Sequence, residues 1–194
     1  MKRFLGLGTL ALMQCGTSQT TPDSGAANDA GMDVAVKPSV VEGAQQGDPE
    51  LGSAQQIAFG PDGVLAVGDG VKSRVVAIET QDTNDKDATA FPPIAGFQTR
   101  VAMALGGGAI GTDIQIADFA VNPINKRLYV AVRRTSTNSW AIVRVGGDGT
   151  LSLFDLSDVK YASVPYAQGA SIVRDIGWAK GHVVLAATKS GWTS

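Results

Sequence analysis

Apolar residues in the second part of the chain come in short runs that are separated by turns. Three segments share one pattern, which is an apolar strand, a turn and a second apolar strand: Gln55–Val67, Ala117–Val132 and Arg174–Ala187. Runs rich in Val, Ile, Leu and Tyr that are bounded by Gly, Pro or Asn are typical of β-strands. The segments recur about every sixty residues, which indicates that one structural unit is used several times.

The middle segment predicts the most complete unit. We expect its strands at Ile114–Val121, Leu128–Arg133, Trp140–Val145 and Thr150–Leu156, with a glycine-rich turn before the last strand. Because the connections between successive strands are short, the strands should pair antiparallel as a four-stranded meander. The first unit repeats at least the first three strands, and Arg74–Thr80 is the third of these.

Four-stranded meanders that recur along a chain suggest a β-propeller, in which such sheets are the blades around an axis. The phrase Ile57–Gly63 resembles blades of NHL-type and TolB-like propellers, and the phrases Asp113–Pro123 and Ala141–Val145 resemble those of exported bacterial propeller proteins. The resemblance implies a fold and no particular reaction. We therefore predict an all-β chain that forms an incomplete β-propeller of about two and a half four-stranded antiparallel blades.

The expected blades are residues 53–112, 113–170 and 171–194, of which the last is incomplete. A propeller typically has four or more blades, so we expect this sequence to be part of a longer ring. Two alternatives stay open. The same strands could form a small complete β-sandwich, or several short chains could assemble into one ring.

The first residues predict an export signal. Two basic residues precede Phe4–Met13, a mostly apolar run about half as long as a membrane span. Leu12, three residues before Cys15, resembles the bacterial lipoprotein signal, in which this cysteine receives the lipid. The resemblance implies lipidation of Cys15, although Gln14 departs from the family pattern. The alternative is an ordinary signal peptide whose cysteine is incidental.

The expected organisation is a signal peptide over residues 1–15, a flexible polar linker over residues 16–52 and the partial propeller over residues 53–194. The protein would be exported to the periplasm or the cell surface, with the lipid bilayer as a partner through its anchor. Charged residues make up 18% of the chain and the net charge is −2, so no electrostatic reason favours nucleic acid as a partner.

Polar residues near the start of each unit are the candidate ligand contacts. Asp118 and Asp175 occupy equivalent places, Gln56 stands there in the first unit, and Arg174 lies beside Asp175. If the first strands are innermost in a propeller, these four side chains line its central channel, where ligands usually bind. Capping of the turns is the structural alternative for the same residues.

Three further motifs carry little chemistry. Gly106–Gly111 matches G-x-G-x-x-G, but the expected helix at Phe97–Leu105 precedes it, whereas a dinucleotide site needs the helix afterwards. Asp82–Asp87 resembles the start of a calcium loop, but Lys86 stands where a ligand is needed, so an exposed loop is expected. The chain has one histidine, His182, and one cysteine, so we expect no metal site and no cofactor.

The sequence thus favours a binding or scaffold module with an unknown protein or small molecule as its ligand. No arrangement of nucleophile and base suggests catalysis. The alternative is a piece of a propeller enzyme, similar to a metal-dependent lactonase or a sugar dehydrogenase, whose active-site residues lie partly in other blades. Fold alone does not decide between these functions.

Overall fold

The computed structural model describes residues 41–84, 92–166, 170–179 and 181–189. These residues are mostly β-structure in antiparallel sheets, with one short α-helix, in agreement with the all-β prediction. The elements are β1 (Gln45–Gly47), β2 (Gln56–Phe59), β3 (Val64–Asp69), β4 (Arg74–Glu79), α1 (Phe97–Ala104), β5 (Ile114–Val121), β6 (Leu128–Arg134), β7 (Ser139–Val145), β8 (Leu151–Leu153), β9 (Val159–Pro165), β10 (Ala170–Ala179) and β11 (His182–Lys189).

The second sheet is the four-stranded antiparallel meander that the sequence predicts, in the order β5-β6-β7-β8. Its first three strands lie within one residue of their predicted bounds. The fourth is shorter than expected, because after the amide of Phe154 has bonded to the carbonyl of Ile142 the chain leaves the sheet. The Asp155 carboxylate then accepts a hydrogen bond from the amide of Ser157 at 2.9 Å, and this closes a local turn.

The first sheet has five strands in the order β1-β9-β4-β3-β2. The inner strand β3 is buried along its whole length, because both faces of this sheet are covered. Residues 159–165, which the sequence assigns to the second blade, form β9 and pair with β4 of the first sheet. Residues 45–47, which the sequence assigns to the linker, form β1 and pair with β9. Strand pairing between distant segments leaves no local pattern, so neither pairing could be predicted from the sequence.

The third unit is the two-stranded hairpin β10–β11. Directly paired residues on antiparallel strands lie on the same face of a sheet, so each register shows which side chains of the first two strands share a face. Ile57 pairs with Val67, Phe119 with Val130, and Ile176 with Leu185. In each repeat that the sequence indicates, the first two strands therefore pair as an antiparallel hairpin.

Two apolar cores hold the sheets and the helix together in layers. The first core lies between the first and second sheets, where Leu65, Val67 and Ile78 pack with Tyr129 and Ile142. The second core lies on the opposite face of the second sheet, where α1 covers Val130, Val132, Val143 and Val145. Burial of such side chains stabilises each by about 1.5–3 kcal/mol. The two faces of the second sheet are thus covered by different elements.

Candidate functional site

A cavity of about 460 Å³ lies between the first sheet and the hairpin β10–β11. Sites for small molecules are typically concave, mostly apolar and about 300–1,000 Å³ in volume, with a few polar groups that orient the ligand. The cavity fits this description, because aliphatic side chains form most of its walls and polar side chains reach it at few points.

The wall from the first sheet is built by β4 and β9. Val75 pairs with Val164 and Ala77 pairs with Ala162, so these four side chains share one face of the sheet. Two of the four are alanines, and their short side chains leave space between the layers. The opposite face of the same sheet carries large residues such as Ile78 and Tyr161, which fill the first core.

The wall from the hairpin is built by Trp178, Val183 and Leu185. Trp178 approaches the first sheet closely, because the neighbouring residue there is Gly60. A Cβ atom added at Gly60 would lie 2.6 Å from Cδ2 of the indole ring, a distance that real Cβ atoms do not show. The indole Nε1 donates a hydrogen bond to the carbonyl oxygen of Ala58 at 3.4 Å. Gly60 and Ala58 therefore fix the position of the aromatic wall.

Polar groups line the cavity at Glu42, Tyr166 and His182. The Tyr166 hydroxyl donates a hydrogen bond to the carbonyl oxygen of Asp69 at 3.4 Å. Partial burial, and then the negative charge of Asp69, raise the pKa of this hydroxyl, so it is a neutral group at physiological pH. His182 begins β11 directly after the hairpin turn, and its side chain is exposed. A carboxylate, a hydroxyl and an imidazole can together orient the polar end of an apolar ligand.

The candidate contacts taken from the sequence are not gathered at this cavity. Gln56 lies in β2, Asp118 in β5, and Arg174 and Asp175 in β10. Asp118 is half-buried, and its Oδ2 accepts a hydrogen bond from the amide of Ile57 at 2.8 Å, next to Gln56. Arg174 and Asp175 are exposed. Cys15 lies outside the described residues.

Three of these residues have small partners on the next strand. Gln56 pairs with Gly68, Asp118 with Ala131, and Asp175 with Ala186, so each stands opposite a small residue on the second strand of its unit. Strand β2 packs against both β5 and β10. The three side chains nevertheless have different surroundings, and their equivalence stays a prediction.

Asp82 is buried, and the exposed loop expected at this position is wrong for this residue. Its Oδ1 accepts hydrogen bonds from Asn125 and from the Arg127 guanidinium, each at 2.7 Å. Its Oδ2 accepts one from the Tyr129 hydroxyl at 2.8 Å, and its backbone carbonyl accepts one from Asn122. A buried carboxylate needs such partners. Asp82 thus joins the chain after the first sheet to the start of β6.

The glycine-rich segment Gly106–Gly111 follows α1 and precedes β5, which is the order that the sequence indicates. Arg134 holds this segment by donating hydrogen bonds to the carbonyl oxygens of Leu105 and Gly107 at 2.8 and 2.6 Å. Arg134 also forms an ion pair with Asp113 at 3.3 Å. A guanidinium that holds backbone carbonyls gives the segment a structural role, as a connection between α1 and β5.

Among the residues that the structure describes, no three His, Cys, Asp or Glu side chains are grouped as a metal site requires. Within the same ranges, no helix is long and apolar enough to cross a membrane. No protein-family model matches the chain, and comparisons with curated proteins and with solved structures found no significant match.

Sequence reasoning missed the cavity. Its walls come from β4, β9, β10 and β11, and the pairing of β4 with β9 joins residues about ninety positions apart. A weak signal was present in Ala77 and Ile78, adjacent residues whose small and large side chains lie on opposite faces of one strand.

Proposed function

We propose that this protein is an exported, lipid-anchored binding module of the β-propeller type, and that the cavity between the first sheet and the hairpin β10–β11 binds a mostly apolar small molecule. The cavity is the observation that carries the binding role. It has the volume of a ligand site, an aromatic wall at Trp178 and polar groups at Glu42, Tyr166 and His182.

The propeller part of the proposal is supported by how the units are oriented. Ile57 faces the second sheet, since it belongs to the first core. Asp118 faces the first sheet, since it bonds to the amide of Ile57. Val173 of the hairpin meets Gly68 of the first sheet, where an added Cβ would lie 2.7 Å from its Cγ1. Sheets that stack face to face with their first strands adjacent are what blades of the NHL-type and TolB-like kind would require.

The binding role is tested with a neutral apolar dye, N-phenyl-1-naphthylamine, added to the full chain. We expect the dye to bind with enhanced fluorescence and to quench the emission of Trp178, because the indole lines the cavity. The variant Ala162→Leu adds three carbon atoms to the wall and should reduce the affinity for the dye by about tenfold or more.

Ala117→Leu is the matched control, because Ala117 is an exposed residue of β5 that does not line the cavity. It should bind the dye as the unaltered protein does. Circular dichroism checks that both variants fold. Equal dye binding by the unaltered chain and Ala162→Leu, or no binding by the unaltered chain, would contradict the proposed site.

The anchor part of the proposal rests on the resemblance of residues 1–15 to a lipoprotein signal, with Cys15 as the modified residue. Acyl chains contribute about 0.8 kcal/mol for each buried CH₂ group, so several chains hold a protein at a bilayer. Replacement Cys15→Ser should move the protein from the membrane fraction to the soluble fraction of the producing bacterium. Unchanged membrane association would refute lipidation at this residue.

A further inference from the structure

A second cavity, of about 390 Å³, lies at the end of the second sheet, and its lining is polar rather than apolar. We propose that this cavity binds an oxyanion, namely the phosphate or carboxylate group of a small molecule, with Arg144 as the principal contact. The proposal does not depend on the proposed function, because it concerns a different cavity. The lining includes Arg127, Arg144, Gly147, Asp148, Thr150 and Ser152.

The strand registers bring these side chains to one place. Arg144 of β7 pairs with Tyr129 of β6 on one side and with Ser152 of β8 on the other. The three side chains therefore share one face of the second sheet. Arg127 precedes Tyr129 by two residues, and Thr150 precedes Ser152 by two residues, so the alternation of an extended chain places both near that face. Cationic groups and hydroxyl groups thus line the same cavity.

The carboxylates near the cavity already have partners. Asp82 is buried under hydrogen bonds from Asn125, Arg127 and Tyr129. The Oδ1 atom of Asp148 accepts hydrogen bonds from the Thr150 hydroxyl at 2.6 Å and from the Thr150 amide at 3.0 Å. These bonds from the Thr150 hydroxyl and amide lower the pKa of Asp148, so its carboxylate stays charged, and Oδ1 is bonded within the glycine-rich turn.

Two arginines line the cavity, and Arg144 is the one whose guanidinium is available to a ligand, because Arg127 forms an ion pair with Asp82. Arg144 makes no hydrogen bond or ion pair with any residue in the described part of the chain, and its side chain is half-buried. The positive charge of Arg144 acts to lower the pKa of Tyr129. Burial and the negative charge of Asp82 have larger effects, so the pKa is raised overall. A guanidinium presents a planar fork of donors that matches the oxygens of a carboxylate or a phosphate. Ser152 adds a hydroxyl donor beside it.

The test titrates the full chain with inorganic phosphate and, separately, with acetate, at constant ionic strength kept with sodium chloride. Isothermal calorimetry or chemical-shift changes of the Arg144 side chain report binding. We expect at least one of the two anions to bind, and the tighter one identifies the group as phosphate or carboxylate. Arg144→Gln should weaken that binding by about tenfold or more, which is the effect of losing a charge-assisted hydrogen bond.

Arg100→Gln is the matched control, because Arg100 is an exposed arginine of α1 outside this cavity. It should leave anion binding unchanged. Arg144→Lys keeps the charge but not the planar fork of donors, so it should bind the anion more weakly than the unaltered protein and more tightly than Arg144→Gln. If the glutamine variant does not fold, the comparison of Arg144→Lys with the unaltered protein tests the same contact. Failure of both anions to bind, or equal binding by the unaltered chain and Arg144→Gln, would overturn the proposal.

Discussion

The carboxylate of Asp118 accepts a hydrogen bond from the backbone amide of Ile57, across 2.8 Å and between strands of two different sheets. Strand β2 is at the edge of the first sheet, so amides on its outer side have no partner strand. An unpaired amide near the interior is costly, and a carboxylate is a strong acceptor for it. A similar bond between a side chain and a backbone amide occurs at the hairpin, where Gln55 Oε1 accepts a hydrogen bond from the amide of Val173 at 2.8 Å.

Replacement Asp118→Ala should lower the free energy of unfolding by about 2 kcal/mol, because the amide of Ile57 loses a charged acceptor. Urea denaturation measures the change. Asp175→Ala is the comparison variant, because the exposed Asp175 carboxylate accepts a hydrogen bond from the amide of the adjacent Ile176 at 2.9 Å, within one strand and not between sheets, so its loss should cost about 1 kcal/mol or less. Equal effects at both positions would show that Asp118 does not join the sheets in this way.

Gly60→Ala should displace Trp178, since the new methyl group would overlap the indole ring. We expect a loss of about 1–3 kcal/mol in stability. The emission of Trp178 should also shift to longer wavelength, measured in a protein whose Trp140 and Trp192 are replaced by phenylalanine.

Gly177→Ala is the matched control for this substitution, because a Cβ atom at Gly177 would meet nothing within 4 Å. It should leave both the emission and the stability nearly unchanged. An unshifted emission maximum in Gly60→Ala would mean that Trp178 does not pack against Gly60.

Stability should fall at alkaline pH because of Tyr129. Burial, followed by the charge of Asp82 and the hydrogen bond to it, raises the pKa of Tyr129 above its ordinary value near 10. A group whose pKa is raised by folding contributes its full stability below the unfolded pKa and loses it as pH rises toward the folded one. Between pH 9 and pH 11 the unaltered protein should therefore lose about 1 kcal/mol more than Tyr129→Phe.

Urea denaturation at pH 9, 10 and 11 provides the measurement for this comparison. Tyr166, whose pKa is also raised, is present in both proteins, so its contribution cancels in the difference. Tyr129→Phe should be less stable overall at pH 9, because Asp82 loses a hydrogen-bond donor. Parallel pH curves for the two proteins would disprove the alkaline dependence on Tyr129.

The middle meander could be predicted from the sequence because every strand in it pairs with its neighbour along the chain. The apolar runs of β5, β6 and β7 are separated by turns, and short turns leave antiparallel pairing as the available arrangement. The helix α1 was predicted at nearly its observed bounds. By contrast, β9 follows the second sheet in sequence but pairs with β4 of the first sheet, a choice made by long-range contacts.

The candidate site depended on tertiary structure more than the middle meander did. The sequence pattern marked Gln56, Asp118 and Asp175 as equivalent, and in the structure each pairs with a small residue on the next strand. It did not indicate that Asp118 would bond to a neighbouring sheet while Asp175 stayed exposed. Asp82 was read as a loop residue because its partners Asn125, Arg127 and Tyr129 lie more than forty positions away.

The sequence by itself determined the all-β class, the repeat and the local strand pairs, because side-chain alternation and turn residues act over a few positions. Only the tertiary structure decided which faces meet, and so where space is left. Ala162 and Val183 lie on strands that are not neighbours in the chain, and the cavity between them exists because the layers that carry them are stacked. Packing between distant segments depends on all of the contacts at once, and no short stretch of residues encodes it.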